Sequence, residues 1–142
     1  MFDLILQKIL ESDSTVAQGH RFEILMQKFL LTEPTRNFSE VWMWNDFPFK
    51  DSRDIGIDLV AKNSNDQFVA IQCKCFDPNS KVSKDQIDSF LATSSKSFGE
   101  NQFIERILIS TAPLGENAQK AIENQNPPVK LIGLEELRTA KV

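Results

Sequence analysis

The chain has 142 residues, of which 41% are hydrophobic and 25% charged, and its formal net charge is −4. This length predicts a single domain with a hydrophobic core, and the negative charge argues against a generally basic nucleic-acid binder. The sequence contains neither an apolar run of membrane-spanning length nor a basic, cleavable N-terminal segment. We therefore expect a cytoplasmic protein without a membrane partner.

The first third of the chain is predicted to be helical. Residues 2–12 form a short amphipathic pattern, and residues 12–15 offer several N-cap side chains for a second helix. Apolar side chains then recur at helical spacing over residues 16–31, which predicts the longest helix, and Pro34 follows its end.

The remaining segments predict strands first and then alternating helices and strands. The expected strands are residues 38–44, 55–61, 68–76, 104–110 and 129–132. The expected helical segments are residues 82–95, 114–124 and 134–138. The order ααβββαβαβ predicts an α/β fold with a central mixed β-sheet flanked by helices. The first three strands should form a meander, and crossovers should join the later ones.

The two cysteines, Cys73 and Cys75, lie two positions apart on a predicted strand. An i, i+2 pair on an extended strand is poorly placed for a disulfide. Since His20 is the only histidine and no other cysteine exists, we do not expect a structural zinc site. We predict that both thiols pack as small hydrophobic residues.

An acidic segment and a Gln-x-Lys strand stand at hairpin-like spacing. Residues 54–58 read Asp-Ile-Gly-Ile-Asp, and Ile71-Gln72-Cys73-Lys74 follows after a polar turn. Side-chain alternation places Gln72 and Lys74 on one face of their strand, and Asp58 can lie beside them. A carboxylate, an amide oxygen and an ammonium group can together hold a divalent metal, a water and a phosphate. Alternatively, Asp58 is only the ion-pair partner that Lys74 needs in an apolar strand.

These residues resemble the PD-(D/E)XK nuclease superfamily, and within it the Mrr-like restriction endonucleases. That group carries Gly-x-x-Phe-Glu on a helix, then Asp-x-Gly-x-Asp, then Gln-x-Lys. The matching residues here are Gly19, Phe22, Glu23, Asp54, Gly56, Asp58, Gln72, Cys73 and Lys74. The strand end at residues 109–111, followed by a helix with Ala118 and Ala121, is also similar. The resemblance implies a restriction-endonuclease-like fold and cleavage of double-stranded DNA.

The resemblance also implies a cofactor, Mg²⁺ with Mn²⁺ as a substitute, and a role for each residue. Asp58, the amide oxygen of Gln72 and the backbone carbonyl of Cys73 would be ligands, and Glu23 would join them directly or through a water. Lys74 would orient the attacking water and stabilise the developing negative charge. The implied catalytic residues are thus Asp58, Gln72, Lys74 and Glu23. Asp54 would be either a second acidic ligand or a loop residue, and we favour the loop.

Two further groups of residues allow a functional and a structural interpretation. Trp42 and Trp44, expected on one strand face, could stack on bases, but core or partner contact is the favoured reading. Lys81, Lys84 and Lys96 could contact a DNA backbone. Because two aspartates lie between these lysines, a solvated helix face is favoured.

We expect residues 1–142 to be one Mg²⁺-dependent DNA endonuclease domain of a restriction–modification system. It would be the N-terminal module of a longer protein that also contains helicase and methyltransferase domains. Two such domains should pair on DNA, because one site cuts one strand at a time. The alternative is an inactive nuclease-like module that serves structure or protein interaction in a helicase-containing protein. A junction-resolving nuclease would need a broad basic face, which the charge disfavours.

Overall fold

The structure, a computed structural model, describes residues 1–11, 14–50 and 56–139. In this part of the chain five strands form one sheet, and five α-helices flank it. The strands are β1 (Phe38–Met43), β2 (Leu59–Asn63), β3 (Phe68–Lys74), β4 (Phe103–Ser110) and β5 (Val129–Ile132). The helices are α1 (Phe2–Leu10), α2 (Thr15–Thr32), α3 (Asp88–Ser94), α4 (Glu116–Ile122) and α5 (Leu134–Thr139).

The sheet is mixed, and its spatial order β1-β2-β3-β4-β5 follows the chain. The pairs β1–β2 and β2–β3 are antiparallel, whereas β3–β4 and β4–β5 are parallel. Parallel neighbours need a crossover connection, and the segments containing α3 and α4 supply the two crossovers. The predicted α/β fold, with a meander followed by crossovers, is confirmed.

Each face of the sheet is covered by a different set of helices. Helix α2 buries Phe22, Met26 and Leu30, which recur every four residues, against Leu59 and Ile71 on one face. Helices α1 and α5 join that cluster. Helices α3 and α4 pack on the other face in two further clusters. Because helices cover both faces of the sheet, its central strands carry apolar side chains on both faces.

Strand β1 and the helical segments predicted over residues 82–95 and 114–124 are shorter than the sequence pattern suggests. Strand β1 ends at Met43 because the next residues form a 3₁₀ turn, Trp44–Asp46, which the Phe47 N–H closes by donating to the Trp44 carbonyl at 3.1 Å. The helix predicted over residues 82–95 is a 3₁₀ turn, Lys84–Gln86, followed by α3. A capping box between Ser83 and Gln86 closes that turn.

The boundaries of the two central strands also differ from the prediction. Strand β2 begins at Leu59, and the start of the predicted segment at residue 55 lies outside the described residues. Strand β3 ends at Lys74 rather than at residue 76. The Phe76 N–H donates instead to the Thr111 hydroxyl at 2.8 Å, which takes this residue out of the strand ladder.

The two tryptophans pack into one aromatic cluster on the α3 side of the sheet, although Trp44 lies in the 3₁₀ turn and not on the strand. Trp44 is buried in the 3₁₀ turn and Trp42 is half-buried on β1. Their ring centroids lie 5.9 Å and 5.5 Å from that of Phe47, respectively. This packing agrees with the favoured core reading.

None of the helices in the described part of the chain combines the length and the hydrophobicity of a membrane span.

Gly56 allows the segment before β2 to lie directly against α3. Its φ is +81°, in the left-handed region, and a Cβ at this position would lie 2.9 Å from the Phe90 backbone nitrogen. A side chain would therefore meet both backbone strain and a steric overlap that a rigid helix cannot relieve. The glycine of the Asp-x-Gly-x-Asp pattern thus has a packing reason, two residues before Asp58.

We expect Gly56→Ala to lower the free energy of unfolding by about 2–4 kcal/mol, from strain and overlap together. Gly99→Ala is the matched control, since Gly99 has a φ of +64° but a Cβ there would meet nothing within 4 Å. That control should cost only about 1 kcal/mol. Urea unfolding followed by circular dichroism measures both, and equal losses would contradict the close packing on α3.

Candidate active site

Asp58 is held between the end of β1 and strand β3. Its N–H donates to the Ile71 carbonyl and its carbonyl accepts from the Trp44 N–H, each at 2.9 Å. Its carboxylate oxygen Oδ2 accepts a hydrogen bond of 2.8 Å from the Cys73 N–H. The carboxylate therefore lies against the backbone between Gln72 and Lys74, and these hydrogen bonds join Asp58 to neighbouring elements.

The backbone of Cys73 faces Asp58. In an extended strand the N–H and the C=O of one residue point to the same side, and the sides alternate along the chain. The Cys73 N–H donates to Asp58 on one side of β3. The carbonyl of the next residue, Lys74, points to the other side, toward β4, and accepts from the Thr111 N–H at 3.1 Å. The Cys73 carbonyl consequently points toward the Asp58 side of β3.

Glu23 approaches the same place from α2. Glu23 and Asp58 line one cavity of about 300 Å³, together with His20 and residues of the 3₁₀ turn after β1. Burial raises the pKa of the Cys73 thiol well above its usual value, and the nearby carboxylates of Asp58 and Glu23 raise it further. The structure thus brings Asp58, Glu23 and Cys73 together, as the sequence pattern implied.

Gln72 lies on the other side of its strand. Val69, Ile71 and Cys73 pack into the cluster beneath α2, so alternation turns Gln72 to the opposite face, away from Glu23. Its side chain is 4% exposed, and its Oε1 finds no hydrogen-bond partner among the residues that the structure describes. A buried acceptor of this kind is uncommon, and an ordered water or a bound ion is one way to satisfy it.

Lys74 is the last residue of β3 and is half-buried. Its Nζ lies 6.0 Å from the centre of the Phe76 ring, and it forms no ion pair with a described residue. No ion pair joins Lys74 to Asp58 among the described residues, so the alternative in which the two merely pair does not describe this arrangement. The ammonium therefore keeps its hydrogen-bond donors available.

The end of β4 holds the end of β3 in place. The Thr111 hydroxyl accepts from the Phe76 N–H and donates to the Phe76 carbonyl, while the Thr111 N–H holds the Lys74 carbonyl. The Ser110 hydroxyl donates to the Ala112 carbonyl at 2.6 Å. The serine and threonine at this strand end thus position the Gln-x-Lys segment through the backbone.

The remaining predicted residues separate into different environments. Cys73 and Cys75 are half-buried free thiols that pack against the core cluster under α2, as predicted. Lys84 pairs with Asp88 at 3.0 Å, which agrees with a solvated face, whereas Lys81 lines a cleft beside Lys74. Asp54 lies outside the described residues. In the described ranges no three His, Cys, Asp or Glu side chains are grouped to hold a metal.

Arg106 is a buried charge that sequence patterns do not single out. It lies on β4 with no exposed surface, and its guanidinium donates to the carbonyls of Leu91 and Pro127 at 2.9 Å and 2.6 Å and to Gln125 Oε1 at 2.7 Å. Burial lowers its pKa. The sequence signal for this buried charge is a single arginine within an apolar strand segment. Its hydrogen bonds join α3 to the segment before β5.

A family model described as restriction endonuclease matches residues 32–142, which is most of the chain. Together with the mixed sheet and the site around Asp58, this match shows that the protein is of the nuclease class. The chain belongs to the restriction endonuclease family, in the Mrr-like group of the PD-(D/E)XK superfamily. The matched residues begin after Glu23, so the helix part of the signature lies outside them.

Solved structures support the same fold. The chain is similar to the ATP-dependent Type ISP restriction-modification enzyme LlaBIII bound to DNA, with a TM-score of 0.71 and 29% identity over 95% of this chain. It is also similar to the MspJI restriction endonuclease in complex with a 27-mer oligonucleotide, with a TM-score of 0.61 and 23% identity over 94% of this chain. A repair endonuclease from Pyrococcus abyssi shares the fold at a TM-score of 0.50 and 17% identity over 87% of this chain.

The chain spans only part of these proteins, namely 8% of LlaBIII, 29% of MspJI and 48% of the repair endonuclease. No curated protein matches the chain.

The rate at which the Cys75 thiol is alkylated measures how tightly the end of β3 is packed. Burial raises the pKa of Cys75 to about 11 from its usual 9.0. At pH 9 its alkylation by iodoacetamide should therefore be about 50-fold slower in the native protein than in urea, since only the thiolate reacts. The native rate should rise as the pH approaches 11. Mass spectrometry of the Cys75 peptide measures the rate, and equal native and denatured rates at pH 9 would contradict this packing.

Proposed function

We propose that this chain is a Mg²⁺-dependent endonuclease domain that hydrolyses phosphodiester bonds of double-stranded DNA within a restriction–modification system. The observation that carries the proposal is the bond from the Cys73 N–H to Asp58 Oδ2, 2.8 Å long. It holds a carboxylate against the backbone of the Gln-x-Lys strand, where the family pattern requires an acid. Membership of the restriction endonuclease family supports the reaction class.

The residues present fit a Mg²⁺ ion. Mg²⁺ takes hard oxygen ligands and keeps several waters, so one or two carboxylates suffice. Asp58 would be the first ligand, and the Cys73 carbonyl, which faces it, the second. The Oε1 of Gln72 is a buried acceptor without a described partner, which a cation would satisfy. Glu23 would contribute through a bound water from the α2 side. When bound, the ion neutralises charge on the scissile phosphate and lowers the pKa of a bound water.

Lys74 would act on the reacting groups directly. Its ammonium has no ion-pair partner among the described residues, so it can donate to the attacking water and to a phosphate oxygen. Negative charge develops on that oxygen during the reaction, and a donor already in place stabilises it without reorganisation. The Thr111 bonds to Lys74 and Phe76 keep the backbone of this segment in position.

We further propose that the domain acts within a longer protein. LlaBIII, to which the chain is similar over 95% of its length, is an ATP-dependent restriction-modification enzyme. By that likeness, helicase and methyltransferase domains would deliver DNA to this domain. A single site cuts one strand at a time, so two copies of the domain would pair on DNA to break a duplex.

The decisive test is nicking of supercoiled plasmid with Mg²⁺ or Mn²⁺, with EDTA as the blank. Asp58→Asn keeps an acceptor for the Cys73 N–H but removes the charge, so it should fold normally and nick at least about 100-fold more slowly. Asp58→Ala also loses the hydrogen bond and should be less stable by about 1–2 kcal/mol. Asp85→Asn, at an exposed acid outside the site, is the control.

Either outcome of that test distinguishes two functions. Metal-dependent nicking that Asp58→Asn abolishes supports the nuclease. Nicking that survives in folded Asp58→Asn would remove Asp58 from the mechanism. If the wild type does not nick plasmid alone or within the longer protein, the domain is an inactive module for structure or interaction, which the uncharged Gln72 in place of an acid favours.

Gln72→Glu tests the metal site without relying on cleavage. A carboxylate buried at this position is destabilising unless a cation binds it. We expect the variant to unfold at a lower temperature than the wild type in EDTA, and to gain more thermal stability from Mg²⁺ than the wild type does. Gln119→Glu, at an exposed position of α4, is the matched control and should show neither effect. A Mg²⁺ response equal to that of the wild type would exclude Gln72 from the ligand set.

A further inference from the structure

A second cavity lies on the Lys74 side of the site and is separate from the one that contains Asp58 and Glu23. Its volume is about 630 Å³, and it runs between the first turns of α2 and the segment that follows β3. Lys74, Gly19 and Lys81 are among the residues that line it. We name this cavity the α2 cleft. Of the proposed metal ligands, Asp58, Glu23 and Gln72 do not line it, whereas Cys73 does.

The charges of the two cavities are opposite in sign. Among the described residues, the α2 cleft is lined by the ammonium groups of Lys74 and Lys81 and by one carboxylate, that of Asp77, which already accepts from the Asn79 N–H at 2.8 Å. The cavity on the other side is lined by three acids, among them Asp58 and Glu23. In a chain of net charge −4, the α2 cleft is therefore a local site suited to an anion.

Hydrogen bonds on both sides of Lys81 hold its backbone in place. Before it, the Ser80 N–H and hydroxyl both donate to the Asp77 carbonyl, which closes a tight turn. After it, Val82 is fully buried and its N–H donates to the Pro113 carbonyl at 2.9 Å. Lys81 itself is exposed and forms no ion pair with a described residue. Its charge thus lies at the mouth of the cleft without an ion-pair partner in the described part of the chain.

Gly19 has no internal reason to be a glycine. It lies within α2, where glycine destabilises a helix relative to alanine, and its φ is not positive. A Cβ at this position would meet nothing within 4 Å. The space that a side chain would fill belongs to the α2 cleft. A bare helix surface beside two lysines is what a close-lying sugar–phosphate backbone requires.

We infer that the α2 cleft holds the backbone of the DNA strand next to the scissile phosphate, with Lys81 paired to a neighbouring phosphate and Gly19 leaving room for the chain. This inference rests on the proposed function for its substrate class. It adds a binding track and two positioning residues that lie outside the metal site. Phosphate contacts of this kind set the register of a nucleic acid on a protein.

The first test fills the cleft. Gly19→Gln should weaken binding of a short fluorescein-labelled DNA duplex about tenfold, measured by anisotropy in EDTA at low salt. Its thermal unfolding temperature should equal or exceed that of the wild type, because a helix glycine has been removed. Val16→Gln introduces the same side chain on α2 at an exposed position outside the cleft, and should bind as the wild type does. Gly19→Ala is the smaller second variant and should weaken binding less.

The second test removes the charge. Lys81→Ala should make the slope of log affinity against log salt shallower by about 0.9, the value for one phosphate contact. Lys96→Ala, at an exposed lysine outside the cleft, should leave the slope unchanged. Absence of an effect at either Gly19 or Lys81, or no DNA binding by the wild type at low salt, would overturn the inference.

These results are separable from those on the nuclease itself. If the wild type binds DNA through Gly19 and Lys81 but does not nick plasmid with Mg²⁺, the proposed activity fails and the cleft stands. If the wild type nicks plasmid and Gly19→Gln nicks it equally well, the cleft fails and the nuclease stands.

Discussion

The Asp58 carboxylate and the Cys73 N–H form the contact on which the site depends. It joins a residue that precedes β2 to the middle of the Gln-x-Lys segment on β3. Two backbone bonds of Asp58, to Ile71 and to Trp44, hold its main chain while Oδ2 holds its side chain. Because a carboxylate that accepts a backbone N–H is already oriented, no further ordering is needed before it can bind a cation. Gly56 makes this possible by letting the preceding chain lie against α3.

Acidic and basic side chains near that contact line two different cavities at the end of β3. Acids from α2 and from the segments after β1 and before β2 line one cavity, and lysines from β3 and the following turn line the other. A cation and a polyanion can thus be held next to each other without sharing side chains. The two lysines of the cleft have no ion-pair partner in the described part of the chain. The ammonium groups of these two lysines are therefore available to an anion.

Much of the architecture follows from local patterns. The four-residue recurrence of Phe22, Met26 and Leu30 predicts α2, and the apolar segments predict the order of strands and helices. The errors lie at the ends of strands. Strand β1 gives way to a 3₁₀ turn, although the Trp44 N–H still donates to the Asp58 carbonyl at the next position of the β1–β2 ladder. Strand β3 ends early because the Thr111 hydroxyl binds the Phe76 N–H, and no local pattern reports a bond between residues so far apart along the chain.

The sequence by itself determined the α/β class, the meander followed by crossovers, and the proximity of Asp58 to the Gln-x-Lys strand, because these depend on periodicity and on spacing within one hairpin. Tertiary structure alone decided that Glu23 shares a face with Cys73 while Gln72 faces away, since this depends on which helices cover which face of the sheet. It alone also decided that Gln72 is buried without a described partner, and that Gly19 and Lys81 line one cleft with Lys74. Residues from α2, β3 and the following turn meet there only after the sheet and its helices have packed.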